Sequence, residues 1–440
     1  MKKNEFNEIF RDYVRQNLSP RPQERALIQK LYESFKNLLG EENCHQIGSY
    51  PRLTSITPVH DLDILFKVSD WNEYASDPTD ALNSLKRNIE NSYSNPTTYD
   101  IIVSLQSHSI TILFSNGDEE IFSVDIVPGY VYRINEFGKI TYMVPEIVNT
   151  RHRKRKLLYE STSRGEHEMK WIVSDPLGYI EVAEKVDNRN SDFRKTVKFI
   201  KAWLASCKEI DEDFKLKSFH IEQIVTQYFI ENDDLEIFDA VFRFFCELND
   251  FILRPMIPDR ADEDRYIDDY IDSLTKNDRQ KIRQARDLFL IKLEDFTEDS
   301  SIEELLTSGF YKRASGSEQF LFDSHIPMLI ENDINLRIGG RVLARKGGFL
   351  ETFLDKVGLI KVDRQIKFII LGNKPDADLF KWKVKNDNNS QQPRGEITDH
   401  STLRDPEHTR YIGSHFVECY AIKNGVCIAR ARQNVVLNKY

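Results

Sequence analysis

The run Gln46-Ile47-Gly48-Ser49-Tyr50-Pro51-Arg52-Leu53-Thr54-Ser55-Ile56-Thr57-Pro58, followed shortly by Asp61-Leu62-Asp63-Ile64, decides how the rest of the chain is read. Leu62, Ile64 and Phe66 alternate with Asp61 and Asp63, so period-two geometry puts the apolar side chains on one face of a strand and both acids on the other. Two carboxylates on one face are close enough to share a cation. Gly48-Ser49 supplies a close backbone approach and a hydroxyl, both of which suit a triphosphate. The pattern returns at Asp125: Phe122, Val124 and Ile126 form an apolar face, Ser123 and Asp125 the opposite one. Three acids on adjacent strands beside a Gly-Ser loop point to a two-metal site for nucleotidyl transfer.

The flanks agree with a strand-rich core. Upstream, Phe6, Ile9, Phe10, Tyr13 and Val14 recur at helical spacing until Ser19-Pro20-Arg21-Pro22 interrupts them. A second helix carries Leu27, Leu31, Phe35, Leu38 and Leu39 on one stripe, with Gly40 placed as its C-terminal cap. Residues 44–47 read as a short strand entering the Gly48-Ser49 loop. Downstream, Asp77-Pro78 opens a connecting helix, and 101–105 and 108–115 read as strands. Asn116-Gly117 predicts a hairpin whose return strand, 119–127, delivers Asp125 and ends at Pro128-Gly129.

Gly48-Ser49, Thr54, Asp61-x-Asp63 and the distal Asp125 resemble the nucleotidyltransferase signature of the polymerase-β superfamily. The wording from Gln46 to Pro58, with Asp61-Leu62-Asp63-Ile64, is most similar to its bacterial cGAS/DncV-like branch, the CD-NTases or SMODS. The resemblance implies an α+β fold with a polymerase-β-like nucleotidyltransferase core and a helical half like that of oligoadenylate synthase and cGAS. It implies an enzyme that makes a cyclic di- or oligonucleotide second messenger from ATP or other NTPs, using two Mg²⁺ (or Mn²⁺) ions. The setting would be CBASS-type anti-phage signalling, with a downstream effector reached through the product. Asp61, Asp63 and Asp125 would be the catalytic and metal-binding residues, and Gln46, Gly48 and Ser49 would hold nucleotide. Cyclisation follows from the resemblance and not from the spacing. A nucleotidyltransferase that makes linear oligonucleotides or modifies an RNA or protein stays open, as does a catalytically silent nucleotide sensor.

From Ser174-Asp175-Pro176 the chain turns helical. Between Phe193 and Leu204 the apolar residues Val197, Ile200, Trp203 and Leu204 recur at three and four, leaving Arg194, Lys198 and Lys201 off the stripe. In the family resembled, a lysine on this helix and a serine opening the next contact the nucleotide phosphates. Lys201 and Ser218 are the matching positions, with Lys198 the competing lysine; an ammonium aimed into a cleft is a point charge suited to β- and γ-phosphates. Further helices are expected over 238–251, over 278–296 and from Ser301.

The C-terminal stretch changes character. Strands are expected over 336–343, 366–371, 380–384, 416–422 and 427–431, with a hairpin turn at Lys423-Asn424-Gly425-Val426. Lys381-Trp382-Lys383-Val384-Lys385-Asn386, Arg394-Gly395-Glu396-Ile397 and His415-Phe416-Val417-Glu418-Cys419-Tyr420 resemble the adenylyl/guanylyl-cyclase and SMODS C-terminal (AGS-C) sensor domain, which implies a regulatory ligand. Trp382 and Arg394 read either as a stacking-and-charge site for a nucleotide or as a core tryptophan and a surface arginine. The expected boundaries are a core at 1–170, a helical half at 171–310, a linker at 311–334 and the β-rich domain at 335–440.

Composition limits the alternatives. The 440 residues exceed one ordinary core. A formal net charge of −10 argues against holding DNA by phosphate neutralisation, while leaving nucleotide binding through metal and a few local cations. The five cysteines include no Cys-x-x-Cys pair, which fits reduced thiols in a cytoplasmic protein. No apolar run reaches membrane-spanning length. Residues 151–156 form the one dense basic run, either a phosphate or nucleic-acid contact or a solvated segment.

Overall fold

Pro22 opens the helix Pro22–Leu39 at its first turn and Gly40, at φ +94°, closes it. The chain then enters β1 (Cys44–Ile47) and, past the Gly48 loop, β2 (Asp61–Asp70). The computed structural model describes residues 2–72, 77–147, 169–343, 352–399 and 406–438. The basic run at 151–156 therefore lies outside the described residues. By its internal contacts the chain divides into two units: Phe10–Ile282, and Met1–Ile9 with Arg283–Tyr440.

The first unit is built on a mixed sheet. After the helix Pro78–Ser92, capped by Asp77 accepting from the Thr79 amide at 2.8 Å, come β3 (Asp100–Leu105), β4 (Ile110–Asn116) and β5 (Glu119–Ile134). β6 (Ile140–Ile147) and β7 (Met169–Ser174) complete it, and the central strands lie in the order β1-β2-β5-β4-β3. The hairpin signal is met: Asn116 pairs with Glu119 across a turn in which Gly117 takes φ +62°. The apolar face packs under the two helices through Ile28, Leu31, Phe35, Leu82, Ile89, Leu62, Ile64, Ile112, Val124 and Ile126. The opposite face carries the acids.

One strand end differs from the expectation. β5 runs on through Pro128-Gly129 to Ile134 instead of stopping there. Its pairing with β4 ends at Ile126 opposite Ile110, so Pro128 falls where that edge has been vacated. β2 continues beside it (Phe66 opposite Pro128), and β6 takes over at Tyr130 opposite Met143.

Helices Pro176–Arg189, Asp192–Ile210, Ser218–Glu231 and Ile237–Phe251 belong to the same unit. The first is capped by Asp175, which accepts from the Gly178 amide at 2.9 Å. Trp203 meets Phe245 edge to face at 4.8 Å, one of many aromatic contacts in their shared core.

The second unit is β-rich. β8 (Ile338–Val342), β9 (Thr352–Phe353), β11 (Gln365–Ile370) and β14 (Glu407–His408) make one sheet. β10 (Leu359–Lys361), β12 (Leu379–Lys385), β13 (Ile397–Thr398), β15 (Gly413–Lys423) and β16 (Val426–Asn438) make the other. The sheets share a core that includes Ile366, Phe368, Trp382, Val417 and Leu437. Trp382 is thus a core residue, and Arg394 ion-pairs with Glu407. Asn424 and Gly425, at φ +51° and +76°, form the two-residue turn read from Lys423 to Val426. The stretch 311–334, expected as a linker, is instead packed: Leu321, Phe322, Met328 and Leu329 are buried. Its Ser, Gly and charged residues concealed that content, because Arg313 and Glu318 are spent on internal ion pairs. All five cysteines are buried and free.

Candidate active site

The strand register brings the acids together. β2 and β5 run parallel with Asp63 directly opposite Asp125 and Asp61 opposite Ser123, which leaves Asp61, Asp63 and Asp125 on one face. On the other side of β5, Thr111 sits opposite Asp125 and donates its hydroxyl to Asp125 Oδ1. Burial, then the neighbouring charges of Asp61 and Asp125, push the Asp63 carboxyl up to about 7, with Arg52 pulling the other way. Asp125 is also raised, chiefly by burial, against the bond from Thr111.

Gly48, at φ +79°, ends β1 where its backbone lies against that cluster. A Cβ there would collide with the Asp63 carboxylate, so only glycine fits. Ser49 follows, its carbonyl accepting from the Thr54 amide at 3.0 Å, which closes the loop on itself. Gln46 lies on β1 opposite Ile64. Ser218 is the exposed first residue of its helix.

The donor set is of the type a hard divalent cation takes: three carboxylates on one face, with Asp63 raised by burial first and by the others' charge second. Among the described residues, no group of three or more Asp, Glu, His or Cys side chains is arranged to hold a metal ion.

Lys201 corrects one expectation. It was read as lying off the apolar stripe with its charge aimed into the cleft, yet it is only 7% exposed. Its ammonium donates to the Thr54 carbonyl at 3.2 Å, to Thr54 Oγ1 at 3.3 Å and to Glu222 Oε2 at 2.9 Å, so its three donors are engaged. Glu222, 1% exposed, also accepts from Arg52 and from Thr54 Oγ1 at 2.8 Å. The Gly48–Thr54 loop is therefore bolted from beneath to two helices. Neither Glu222 nor Arg52 was singled out from sequence. The available signal was an acid placed among Ile221, Ile224 and Val225 in an otherwise apolar helix.

Lys198, one turn earlier, is half-buried and makes no side-chain hydrogen bond or ion pair among the described residues. Burial, then Arg194 and Lys201, bring it down to about 8. Of Lys198 and Lys201, it is the one with an ammonium to spare.

Residues 315–438 match the family described as the Adenylyl/Guanylyl and SMODS C-terminal sensor domain. The β-rich module belongs to that family. The match begins before β8, so the packed stretch after residue 314 lies within the AGS-C sensor domain. No curated protein matches the chain. Among solved structures, the chain is similar to E. coli MS115-1 CdnC in a complex with HORMA-deltaN, at 15% identity and TM-score 0.48, over 68% of this chain and 94% of that one. It is similar to the Bradyrhizobium diazoefficiens CD-NTase CdnG in complex with GTP, at 10% identity and TM-score 0.45, over 68% and 96%. It is also similar to Elizabethkingia meningoseptica CdnE cyclic dinucleotide synthase with GTP and Apcpp, at 15% identity and TM-score 0.38, over 64% and 96%. Among the described residues no helix is long and apolar enough to cross a membrane.

Proposed function

We propose that the chain is a divalent-metal-dependent nucleotidyltransferase that joins NTPs into a cyclic di- or oligonucleotide signal, with the AGS-C domain sensing the ligand that controls it. The observation that carries the reading is the register of Asp63 against Asp125 across β2 and β5, with Asp61 on the same face and Gly48 against the Asp63 carboxylate. Two divalent ions bound there would lower the pKa of a ribose hydroxyl and gather the charge of the donor triphosphate. Asp61, Asp63 and Asp125 would hold the metal, and Asp125 would take the proton of the ribose hydroxyl. The Gly48-Ser49 backbone and the Ser49 hydroxyl hold the terminal phosphates of the donor. The cyclic product and its place in CBASS-type defence, with an effector downstream, rest on the sequence resemblance and on the sensor-domain match.

Within this reading Lys198 takes the phosphate role, because Lys201 is committed to Thr54 and Glu222. Replacing Lys198 with Met keeps the stem and removes the charge. The expected result is a rise of about tenfold in KM for the donor NTP, with an unchanged melting temperature. Lys201→Met is expected to lower the melting temperature instead, and measuring both quantities for both variants decides between the two lysines.

The direct test incubates purified protein with all four labelled NTPs and Mg²⁺ or Mn²⁺, then identifies the products by mass before and after phosphatase. The expected product resists phosphatase, since a ring has no terminal phosphate to lose. A product that phosphatase shortens would make the enzyme a linear synthase. No product under any condition, with the sensor ligands below included, would overturn the catalytic reading.

A further inference from the structure

The alternation of β12 sends Trp382 into the core between the sheets and Lys383 and Lys385 to the opposite face, yet both lysines are buried. They line a cavity of about 420 Å³ together with Glu294, Phe320, Phe416 and Tyr420, all within the second unit. Most of its charges are matched. Lys385 Nζ lies 2.7 Å from Glu318 Oε1, Arg430 lies 2.8 Å from Asp295, and Tyr420 donates to Glu418 at 2.6 Å.

Lys383, the most buried of its cations, is not matched. It is 4% exposed, makes no side-chain hydrogen bond or ion pair among the described residues, and rests 3.8 Å from the centre of the Phe320 ring. Lining the same space, Glu294 Oε1 is buried without a hydrogen-bond partner. A buried ammonium and a buried carboxyl oxygen left unmatched are each costly, and the ring face offsets only part of the first cost. Burial pushes the Glu294 carboxyl up to about 8, so at neutral pH it is mostly uncharged and able to donate. Lys383, Lys385, Arg430 and Arg432 stand around the cavity against Glu318, Glu418 and Asp295, and since burial lowers Lys383, a bound anion would hold its ammonium charged. Aromatic walls of this kind favour a flat, unsaturated body, and the volume is that of a small-molecule site.

We propose that this cavity binds a planar heteroaromatic anion, with its negative group on Lys383 and a hydrogen-bonding edge on Glu294. The proposal deepens the sensing role given above to the AGS-C domain, but its test needs no turnover. Full-length protein is titrated calorimetrically with AMP, GMP, CMP, UMP and orotate; the mononucleotides carry the anion as phosphate, orotate as carboxylate. At least one of the five is expected to bind. Lys383→Met, which keeps the stem and removes the charge, should weaken that binding about tenfold or more. Asp63→Asn, on the other unit, should leave it unchanged. The proposal is overturned if none of the five binds, if binding withstands Lys383→Met, or if binding is lost in Asp63→Asn instead. Should Lys383→Met melt early, Glu294→Met, of similar size and without a hydrogen-bonding edge, becomes the deciding variant under the same tenfold criterion. Turnover measured separately on the same samples tells failure of this site from failure of the catalytic reading.

Discussion

Asp63→Asn is expected to reduce nucleotide transfer by about a thousandfold or more, a loss of several kcal/mol of transition-state stabilisation, while making the metal-free protein more stable at pH 8. The second effect follows from the carboxyl being pushed up to about 7 in the fold. A raised acid binds its proton more tightly in the folded chain than in the unfolded one. Its contribution to stability is therefore complete below about 3.8 and lost as the pH rises through about 7. Above that pH the wild type holds a buried carboxylate beside Asp61 and Asp125, and asparagine removes that repulsion. Melting curves in EDTA should place Asp63→Asn above the wild type at pH 8, with the gap closing toward pH 4. Added Mg²⁺ should raise the wild type and leave the variant nearly unmoved. Wild-type turnover in Asp63→Asn would refute the assignment of the site.

Glu222→Gln is expected to cost about 3–5 kcal/mol, because it leaves the buried charges of Arg52 and Lys201 without their counter-ion. The first unit should then melt roughly 10 °C lower. Burial works to raise the Glu222 carboxyl, but Lys201 and Arg52 together outweigh it and hold the group well below the usual carboxylate range. A depressed acid contributes stability that is present above its unfolded value and lost as the pH falls through its folded one. The gap between wild type and Glu222→Gln should therefore be widest above pH 5 and narrow steadily with acidification below about 4.5. Activity should fall with it, since Thr54 and the loop behind Ser49 lose their support. A melting temperature equal to the wild type's at pH 7 would show that the buried pair does not hold the loop.

The parts of this molecule legible from sequence are those governed by a short repeat. Alternation at Asp61–Phe66 and at Phe122–Ile126 placed the acids on their faces, while the register that sets Asp63 opposite Asp125 is read only from the structure. Asn-Gly at 116–117 and at 424–425 marked turns whose glycines take the positive φ that such turns require. What alternation does not encode was misread. Pro128 is compatible with a strand once the neighbouring edge is empty, a fact that depends on where β4 stops. Lys198 and Lys201 occupy similar positions on a helical wheel. Only the presence of Glu222 across the helix pair commits one ammonium and leaves the other. The stretch 311–334 reads as solvated because its charges are matched internally, by partners remote in sequence such as Asp287 and Lys385.

β5 spans 16 residues with Asp125 near its middle, flanked by β2 and β4 and then handed on to β6. A single inserted or deleted residue between Glu119 and Asp125 would rotate that carboxylate to the helix-covered side and swing Val124 outward. Related chains should therefore vary in length at the Gly117-Asp118 turn or at 135–139, and keep the interval between them fixed. A ruler of this kind lets substrate choice drift through loop residues while the spacing of the reactive groups is inherited unchanged.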